Sequence, residues 1–169
     1  MKISSIVLRT AASAVLVLGI SVSLFAQKEY TIAQVQGDKG SSPVVNENVR
    51  VTGVVTAMLR NGFFVQTPDD KADKDPKSSE GIYVYGAESV AQVAIGNLVQ
   101  VDGTVTEFRP RTERIFLTIT EITKPTVKVL SKDNSLPAPI ALTQADLDPK
   151  GKLDQMEKYE GMRVKGDFV

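Results

Sequence analysis

The chain has 169 residues, with 20 basic and 20 acidic side chains, no cysteine and no histidine. The even charge balance excludes a strong overall attraction to polyanions, so any binding of nucleic acid or anionic membrane has to come from a local patch. Without cysteine the protein has no disulfides and no thiolate metal site, and without histidine it lacks the commonest general acid–base group and metal ligand.

Residues 1–26 have the pattern of a secretory signal peptide. Lys2 and Arg9 form a basic start, an apolar run extends from residue 11 to residue 25, and the predicted cut leaves Gln27 as the first residue. The alternative is an uncleaved anchor, but the run is shorter than the roughly 20 residues that a membrane span needs. Removal of Lys2 and Arg9 leaves 18 basic and 20 acidic residues, a net charge of −2. We therefore expect a secreted or periplasmic protein without membrane attachment after cleavage.

The rest of the chain predicts mainly strands. In chain order the elements are a helical turn or edge strand (residues 30–36), a strand (49–59), a type I′ hairpin turn at Asn61-Gly62, strands (63–67 and 81–85), a helical turn (87–94), strands (98–108 and 114–122) and a further strand (127–130). Five strands with a helical turn between the third and fourth predict an all-β protein, a five-stranded OB-fold Greek-key barrel. A seven-stranded sandwich is the alternative, but too few strands are visible for one.

The pattern Val-x-Val-x-Gly-x-Val-Thr occurs at residues 49–56 and 99–106, and a degraded copy occupies residues 162–169. Alternating β-branched residues predict a strand with one buried face. The glycine at the same interior position of each copy indicates a sharp bend, a bulge or a close backbone approach. We expect the third copy to lack partners, and to be poorly packed or borrowed as an edge strand.

Domain boundaries follow from this pattern. The barrel is predicted over residues 27–130, and a linker over residues 131–141, where Pro137-Ala138-Pro139 favours extended, unpaired chain. Residues 142–169 form a C-terminal extension with a short helix predicted around residues 152–159. Because the third pattern copy lies at its end, we expect this extension to be a truncated part of something larger.

Eight short stretches, in order along residues 27–169, carry a family resemblance. They are IAQVQG (32–37), SP (42–43), VTGVVT (51–56), NGFFVQ (61–66), SEGIYVY (79–85), GNLVQVDGTVTEF (96–108), LPAP (136–139) and EKYEGM (157–162). Together they resemble the OB-fold domain near the N-terminus of secreted bacterial nucleases, which carry an endonuclease/exonuclease/phosphatase-type catalytic domain further along. The resemblance implies an accessory, substrate-binding module of an exported nuclease-like protein.

The catalytic domain of that family is absent from the sequence, which ends at Val169. We therefore expect a truncated product, a fragment or a degenerate stand-alone copy, with a nuclease catalytic domain encoded downstream as a candidate partner. The resemblance does not carry nuclease activity onto this chain.

The densest acidic cluster does not predict a catalytic or metal site. It contains Asp69, Asp70, Asp73, Asp75 and Glu80, interleaved with Lys71, Lys74 and Lys77. The lysines neutralise the acids, and the glycine of a calcium-binding loop is missing. We expect a solvated loop, with a weak calcium-binding loop as the alternative. No catalytic residue, metal ligand or cofactor is predicted.

Strand alternation predicts a ligand-binding face. Phe64, Gln66, Tyr83 and Tyr85 fall on the side of the second and third strands that faces away from the core, and OB-folds bind oligonucleotides or oligosaccharides there. The three aromatic residues are candidate stacking surfaces for bases, and Gln66 a hydrogen-bonding group beside them. The alternative is that these aromatics are ordinary cross-strand pairs, covered by a helix or by the N-terminal segment.

Three arginines lie between the fourth and fifth predicted strands, in a loop that borders the same face: Arg109, Arg111 and Arg114. Guanidinium groups pair with phosphate and stack on bases. The alternative is a solvated turn with a local charge pair. These features predict an exported OB-fold module that weakly binds single-stranded DNA or RNA. A structural or protein-interaction module without a ligand is the alternative, and an active enzyme is disfavoured.

Overall fold

The computed structural model of the protein describes residues 27–112, 115 and 117–166. Its elements are β1 (Lys28–Glu29), α1 (Ile32–Gln36), β2 (Asn48–Leu59), β3 (Gly62–Gln66), β4 (Gly81–Tyr85), α2 (Ala87–Val90), β5 (Leu98–Phe108), β6 (Ile119–Ser131), β7 (Ile140–Ala141), a 3-10 turn (Glu157–Tyr159) and β8 (Val164–Lys165). The predicted signal peptide lies outside these residues. No helix in the described part of the chain is long and apolar enough to cross a membrane.

The sheet closes on itself. Its strand order is β1-β2-β3-β4-β6-β5, and β5 pairs again with β2. The pairs among the five long strands are antiparallel, except that β4 and β6 run parallel. This is the strand order of a Greek-key OB barrel, with the short helix α2 between its third and fourth strands. The predicted all-β, OB-like fold is confirmed.

Alternation along the strands fills the barrel with aliphatic side chains. The buried residues of the strands are Val49, Val51, Val55, Phe63, Val65, Ile82, Val84, Val99, Val101, Val105 and Ile122. Helix α1 adds Ile32 and Val35 to the same core. Full burial of one such side chain stabilises the fold by about 1.5–3 kcal/mol. With no disulfide available, this core holds the barrel together.

Helix α1 resolves the first predicted element in favour of a helix. Its start is a capping box, in which the Thr31 hydroxyl accepts from the Gln34 backbone at 3.1 Å and the Gln34 side chain accepts from the Thr31 backbone at 3.0 Å. It ends at Gly37, which has a φ of 75° that glycine adopts without strain.

The glycines of the first two pattern copies lie where strands cross closely. A Cβ atom on Gly53 would lie 2.6 Å from Val65 Cγ1, and one on Gly103 would lie 2.4 Å from Ile122 Cγ2. Real Cβ contacts are longer than this, so only glycine fits either position. Backbone atoms are close as well, with the Gln66 carbonyl oxygen 2.8 Å from a Cβ on Gly53 and the Thr123 carbonyl oxygen 2.7 Å from one on Gly103. Of the predicted alternatives, a close backbone approach holds for both copies, and the second glycine also lies at a bulge.

The fifth barrel strand differs from the prediction. Instead of strands over residues 114–122 and 127–130, one strand runs over Ile119–Ser131. Its register with β5 slips by one residue at Gly103, and Lys124 adopts a φ of 51° nearby. The bulge accommodates one extra residue of β6, so pairing with β5 continues on both sides of it where two separate strands were predicted.

The C-terminal extension has partners, which corrects the expectation that the third pattern copy would have none. Val164–Lys165 pairs in parallel with Ile140–Ala141, inside the region predicted as an unpaired linker. Residues 167–169 of the copy lie outside the described residues. The extension also packs against the barrel at two glycines, because a Cβ on Gly81 would lie only 2.3 Å from the carbonyl carbon of Gly161.

Hydrogen bonds hold this extension in place. The Arg163 backbone donates to Gln66 Oε1 at 2.9 Å, and the Thr120 backbone donates to Glu160 Oε1 at 2.9 Å. The Ser79 hydroxyl donates to the Glu160 carbonyl. Desolvation raises the pKa of Glu160 to about 7, because burial of the carboxylate outweighs its hydrogen bonds, and the charges of Glu157 and Glu107 add to the rise.

The raised pKa of Glu160 predicts a pH-dependent stability. The folded state holds this proton more tightly than the unfolded chain, so the contribution is present below pH 4.5 and is lost as the pH rises to about 7. Glu160→Gln, which keeps the acceptor oxygen, is expected to stabilise the protein at pH 8 by about 1–2 kcal/mol, after allowance for partial exposure.

The measurement is the free energy of unfolding in urea at pH 5 and pH 8. The native protein should lose stability between these pH values, and the Glu160→Gln variant should lose less. Glu88→Gln, on an exposed side chain, is the matched control and should keep the native dependence. An unchanged dependence in Glu160→Gln would show that this carboxyl is not buried as described.

Candidate nucleic-acid interface

Three aromatic side chains form a contiguous row on the outer face of β3 and β4. Phe64 and Tyr83 are direct cross-strand partners, with ring centroids 5.0 Å apart and planes tilted by 43°. Tyr83 and Tyr85 lie two residues apart on β4, with centroids 6.5 Å apart and a tilt of 54°. Tilted contacts at these distances are favoured by the ring quadrupoles. We call these three residues the aromatic row.

The aromatic row is accessible to a ligand. Tyr85 is 47% exposed, and Phe64 and Tyr83 are half-buried, whereas the alternating residues Phe63 and Val84 are fully buried. The structure thus places the three predicted aromatic residues together, on the outside of the barrel. A flat ligand could stack on rings that the core already holds in position.

The turn between β2 and β3 supports the centre of the row. Leu59 pairs with Gly62 across the two-residue loop Arg60-Asn61, and neither loop residue has a positive φ, so the turn is not the predicted type I′ turn. Glycine is needed at position 62 for another reason. A Cβ atom there would lie 2.2 Å from the Val84 carbonyl oxygen and 2.6 Å from the Tyr83 hydroxyl oxygen, so the β4 backbone leaves no room for a side chain and the Tyr83 ring lies over Gly62.

Gln66 is buried, although the sequence predicts it as an exposed hydrogen-bonding group beside the aromatic rings. Its side chain is only 2% exposed, and its Oε1 accepts the hydrogen bond from the Arg163 backbone. The amide oxygen therefore holds the C-terminal extension instead of facing solvent beside the rings. The partner lies 97 residues away in sequence, so strand alternation alone gave no sign of it.

Cationic side chains flank the two ends of the face. Arg109 and Arg111 are exposed in the loop that follows β5, as predicted, and Arg114 lies outside the described residues. Arg60 is exposed in the turn that follows β2, beyond the other end of the aromatic row. Arg60 is not among the predicted ligand-binding residues, although the Asn61-Gly62 pair beside it predicts the turn.

An apolar pair extends the face toward the arginine loop. Phe108 and Ile119 are cross-strand partners on β5 and β6, and they are 48% and 42% exposed. They lie on the same outer side as Thr106 and Glu121, two residues along each strand. Their part in the face was not predicted, because the pairing of Phe108 with Ile119 depends on the register between β5 and β6, which strand alternation does not give.

A carboxyl group lies beside the centre of the aromatic row. Glu121 of β6 pairs with Tyr83 of β4, and Thr106 of β5 donates from its hydroxyl to Glu121 Oε1 at 3.4 Å. Glu121 is 7% exposed, and burial raises the pKa of its carboxyl. Burial also raises the pKa of Tyr83, and the neighbouring Glu121 charge raises it further.

In the acidic loop after β3, carboxylates accept hydrogen bonds from backbone N–H groups. Asp69 accepts from the Ala138 backbone at 3.2 and 3.1 Å, and Glu80 Oε1 accepts from the Asp73 backbone at 2.7 Å. In the described ranges no group of three or more acidic side chains is arranged to hold a metal ion. These contacts tie the loop to itself and to the segment between β6 and β7.

A well-formed cleft lies away from the aromatic row. It has a volume of about 760 Å³ and lies between the start of α1 and the loop after β3, where Tyr30, Thr52, Pro68 and Asn134 contribute to its walls. None of the predicted ligand-binding residues lines it. A concave pocket is not required for stacking of a single strand, which uses an open groove or face.

No protein-family model matches the chain, and no curated protein is similar to it. Among solved structures, it is similar to a protein described as an aspartyl-tRNA synthetase from Leishmania major Friedlin, with a TM-score of 0.43 and 13% identity over 80% of this chain and 27% of that one. It is also similar to aspartyl-tRNA synthetase from Entamoeba histolytica, with a TM-score of 0.41 and 15% identity over 82% of this chain and 30% of that one. The chain therefore spans less than a third of either protein. Likeness at this level carries no functional argument, and the fold assignment rests on the strand order.

Proposed function

We propose that the protein is an OB-fold module that binds single-stranded DNA or RNA weakly on the aromatic row. The observation that carries the proposal is the contact geometry of Phe64, Tyr83 and Tyr85 on the second and third barrel strands, the face with which OB-folds bind oligonucleotides. Every base offers a π-face, so such a row binds single strands with little dependence on sequence, at about 1–3 kcal/mol per stacked base.

The distribution of charge supports weak binding. Arg60 at one end of the row and Arg109 and Arg111 at the other can each approach a phosphate, whereas the chain as a whole has no excess of positive charge. With few phosphates neutralised, the affinity is expected in the micromolar range at low salt. It should fall as salt rises, with a logarithmic slope of about −0.7 per phosphate contact on a single strand.

The test is fluorescence anisotropy of the purified protein with a labelled deoxythymidine 9-mer, and with a duplex of the same length. We expect saturable binding of the single strand and weaker binding of the duplex, because paired bases cannot stack on the row. Failure to bind the single strand at high micromolar protein and low salt would contradict the proposal.

We further propose that the module belongs to an exported, nuclease-like system. The support is the family resemblance along residues 27–169 together with the OB-like fold. The nucleotide sequence that follows codon 169 tests this proposal. A catalytic domain of the endonuclease/exonuclease/phosphatase type, encoded there in frame or in a shifted frame, would support it, and its absence from the neighbouring genes would count against it.

The proposed location is periplasmic or extracellular. If residues 1–26 are a cleaved signal peptide, the protein recovered outside the cytoplasm should begin at Gln27. N-terminal sequencing together with intact mass measurement of the exported form tests this. Recovery of the full-length chain in the membrane fraction would favour the uncleaved anchor.

A protein-interaction module without nucleic-acid binding is the second candidate. The observation in its favour is the exposure of Leu59, Tyr85, Phe108 and Ile119 around one face, since exposed apolar patches often mark protein interfaces. It predicts that oligonucleotides fail to bind in the anisotropy experiment. It also predicts that Phe108→Ala weakens association with a protein partner.

A further inference from the structure

We infer that Glu121 makes the aromatic row selective for guanine. The inference rests on the proposed function, because it concerns which base stacks on Tyr83 when a single strand lies across the face. The carboxylate would accept hydrogen bonds from the N1–H and the 2-amino group on the Watson–Crick edge of that guanine. The aromatic row would then provide the affinity for a single strand, and Glu121 would provide the preference for guanine over the other bases.

The position of Glu121 fits this role. Tyr83 and Glu121 are register partners on the parallel strands β4 and β6, so their side chains leave the same outer face. Adjacent strands lie about 4.8 Å apart. A base centred on the Tyr83 ring, and extending away from Phe64, therefore brings one edge over the carboxyl group.

Glu121 has acceptor capacity to spare. Its Oε1 takes one long hydrogen bond, from Thr106 at 3.4 Å, and no described residue donates to its Oε2. In the described ranges it also forms no ion pair. A desolvated carboxyl without strong partners costs folding free energy, and a ligand that brings two donors satisfies it.

The chemistry of the bases then sets the order of preference. An ionised carboxylate only accepts hydrogen bonds, and it can accept two in parallel. Guanine presents two adjacent donors on its Watson–Crick edge. Adenine and cytosine present one amino group beside a ring acceptor, and thymine presents its single N–H between two carbonyl oxygens that the carboxylate repels. Single-stranded bases are recognised on this edge once they are unstacked.

The test compares three labelled 9-mers by anisotropy: all-thymidine, the same strand with one central guanine, and the same strand with a central hypoxanthine. Hypoxanthine differs from guanine only in lacking the 2-amino group. We expect the central guanine to tighten binding about tenfold relative to thymidine, and hypoxanthine to lose most of that gain, since hydrogen bonds to a charged group are worth that much.

Glu121→Gln tests the residue directly. The amide can accept only at one of its two positions, so the variant should bind the all-thymidine strand at least as well as the native protein but lose the guanine preference. Glu88→Gln, an exposed carboxyl on α2, is the matched control and should keep it. In the native protein the preference should also decline as the pH is lowered, and earlier than for an exposed glutamate, because burial raises the pKa of the Glu121 carboxyl, while thymidine binding changes little.

The outcomes separate the two proposals. Equal binding of the guanine and thymidine strands, with saturable binding of both, would overturn the role of Glu121 and leave the proposed function standing. A guanine preference that survives in Glu121→Gln would also overturn it. Failure of all three strands to bind would overturn the proposed function itself. Should Glu121→Gln fail to fold, the hypoxanthine comparison and the pH series on the native protein decide the question.

Discussion

Tyr83→Ala is expected to weaken binding of a deoxythymidine 9-mer by about ten- to a hundredfold, the effect of losing one stacked base. Tyr83 is the central ring of the aromatic row and contacts both Phe64 and Tyr85. Its removal takes away one stacking surface and leaves the other two apart. The measurement is the dissociation constant by anisotropy at low salt, alongside the melting temperature of the variant.

Tyr83→Phe is the matched control for this experiment. It keeps the ring and removes only the hydroxyl that lies over Gly62, so binding should stay within about twofold of the native protein because stacking uses the ring face. If Tyr83→Ala binds as tightly as Tyr83→Phe, while both remain folded, the aromatic row is not the binding surface.

Gly81→Ala should destabilise the protein by about 2–3 kcal/mol, the cost of forcing extra volume into a packed contact. A Cβ atom at this position would lie 2.3 Å from the carbonyl carbon of Gly161 and 2.6 Å from the Met162 nitrogen. Both are backbone atoms, so the clash cannot be relieved by turning a side chain. The C-terminal extension has to move away from the barrel, and its hydrogen bonds to Ser79 and Gln66 are lost with it.

The measurement is thermal unfolding, in which we expect the melting temperature to fall by roughly 6–10 °C. Gly40→Ala is the matched control, because a Cβ there meets only Leu117 Cδ2 at an ordinary 3.8 Å. It should change the melting temperature by much less. Equal effects of the two substitutions would mean that the extension does not pack on Gly81 as described.

Much of the barrel could be predicted from the sequence, because most of its strands show a period-two alternation of apolar residues. The period-two pattern identified the inward residues Phe63 and Ile82 and the outward residues Phe64 and Tyr83, which the structure places as predicted. The repeated glycine marked the positions at which strands cross most closely. These features are local, so a single strand carries the information.

The remaining features depend on partners distant in sequence. The Arg163 backbone N–H donates to the Gln66 amide oxygen, and Gly161 packs on Gly81. Glu121 lies beside Tyr83 because β4 and β6 pair in this register. Strand alternation indicates which face a residue occupies, but not which strand lies next to it or in what register. For this reason the aromatic row was predicted from the sequence, and its neighbouring carboxyl was not.

The position of the extension also suggests an order of folding. Among the described residues, the strands that carry the candidate face, β2 to β6, pair with one another and with β1 and not with β7 or β8, so the barrel can close once residues 28–131 are available. The contact between Gly81 and Gly161 spans 80 residues of chain and requires β4 to be in place first. As the chain leaves the ribosome, the aromatic row is therefore expected to form before the extension reaches the barrel.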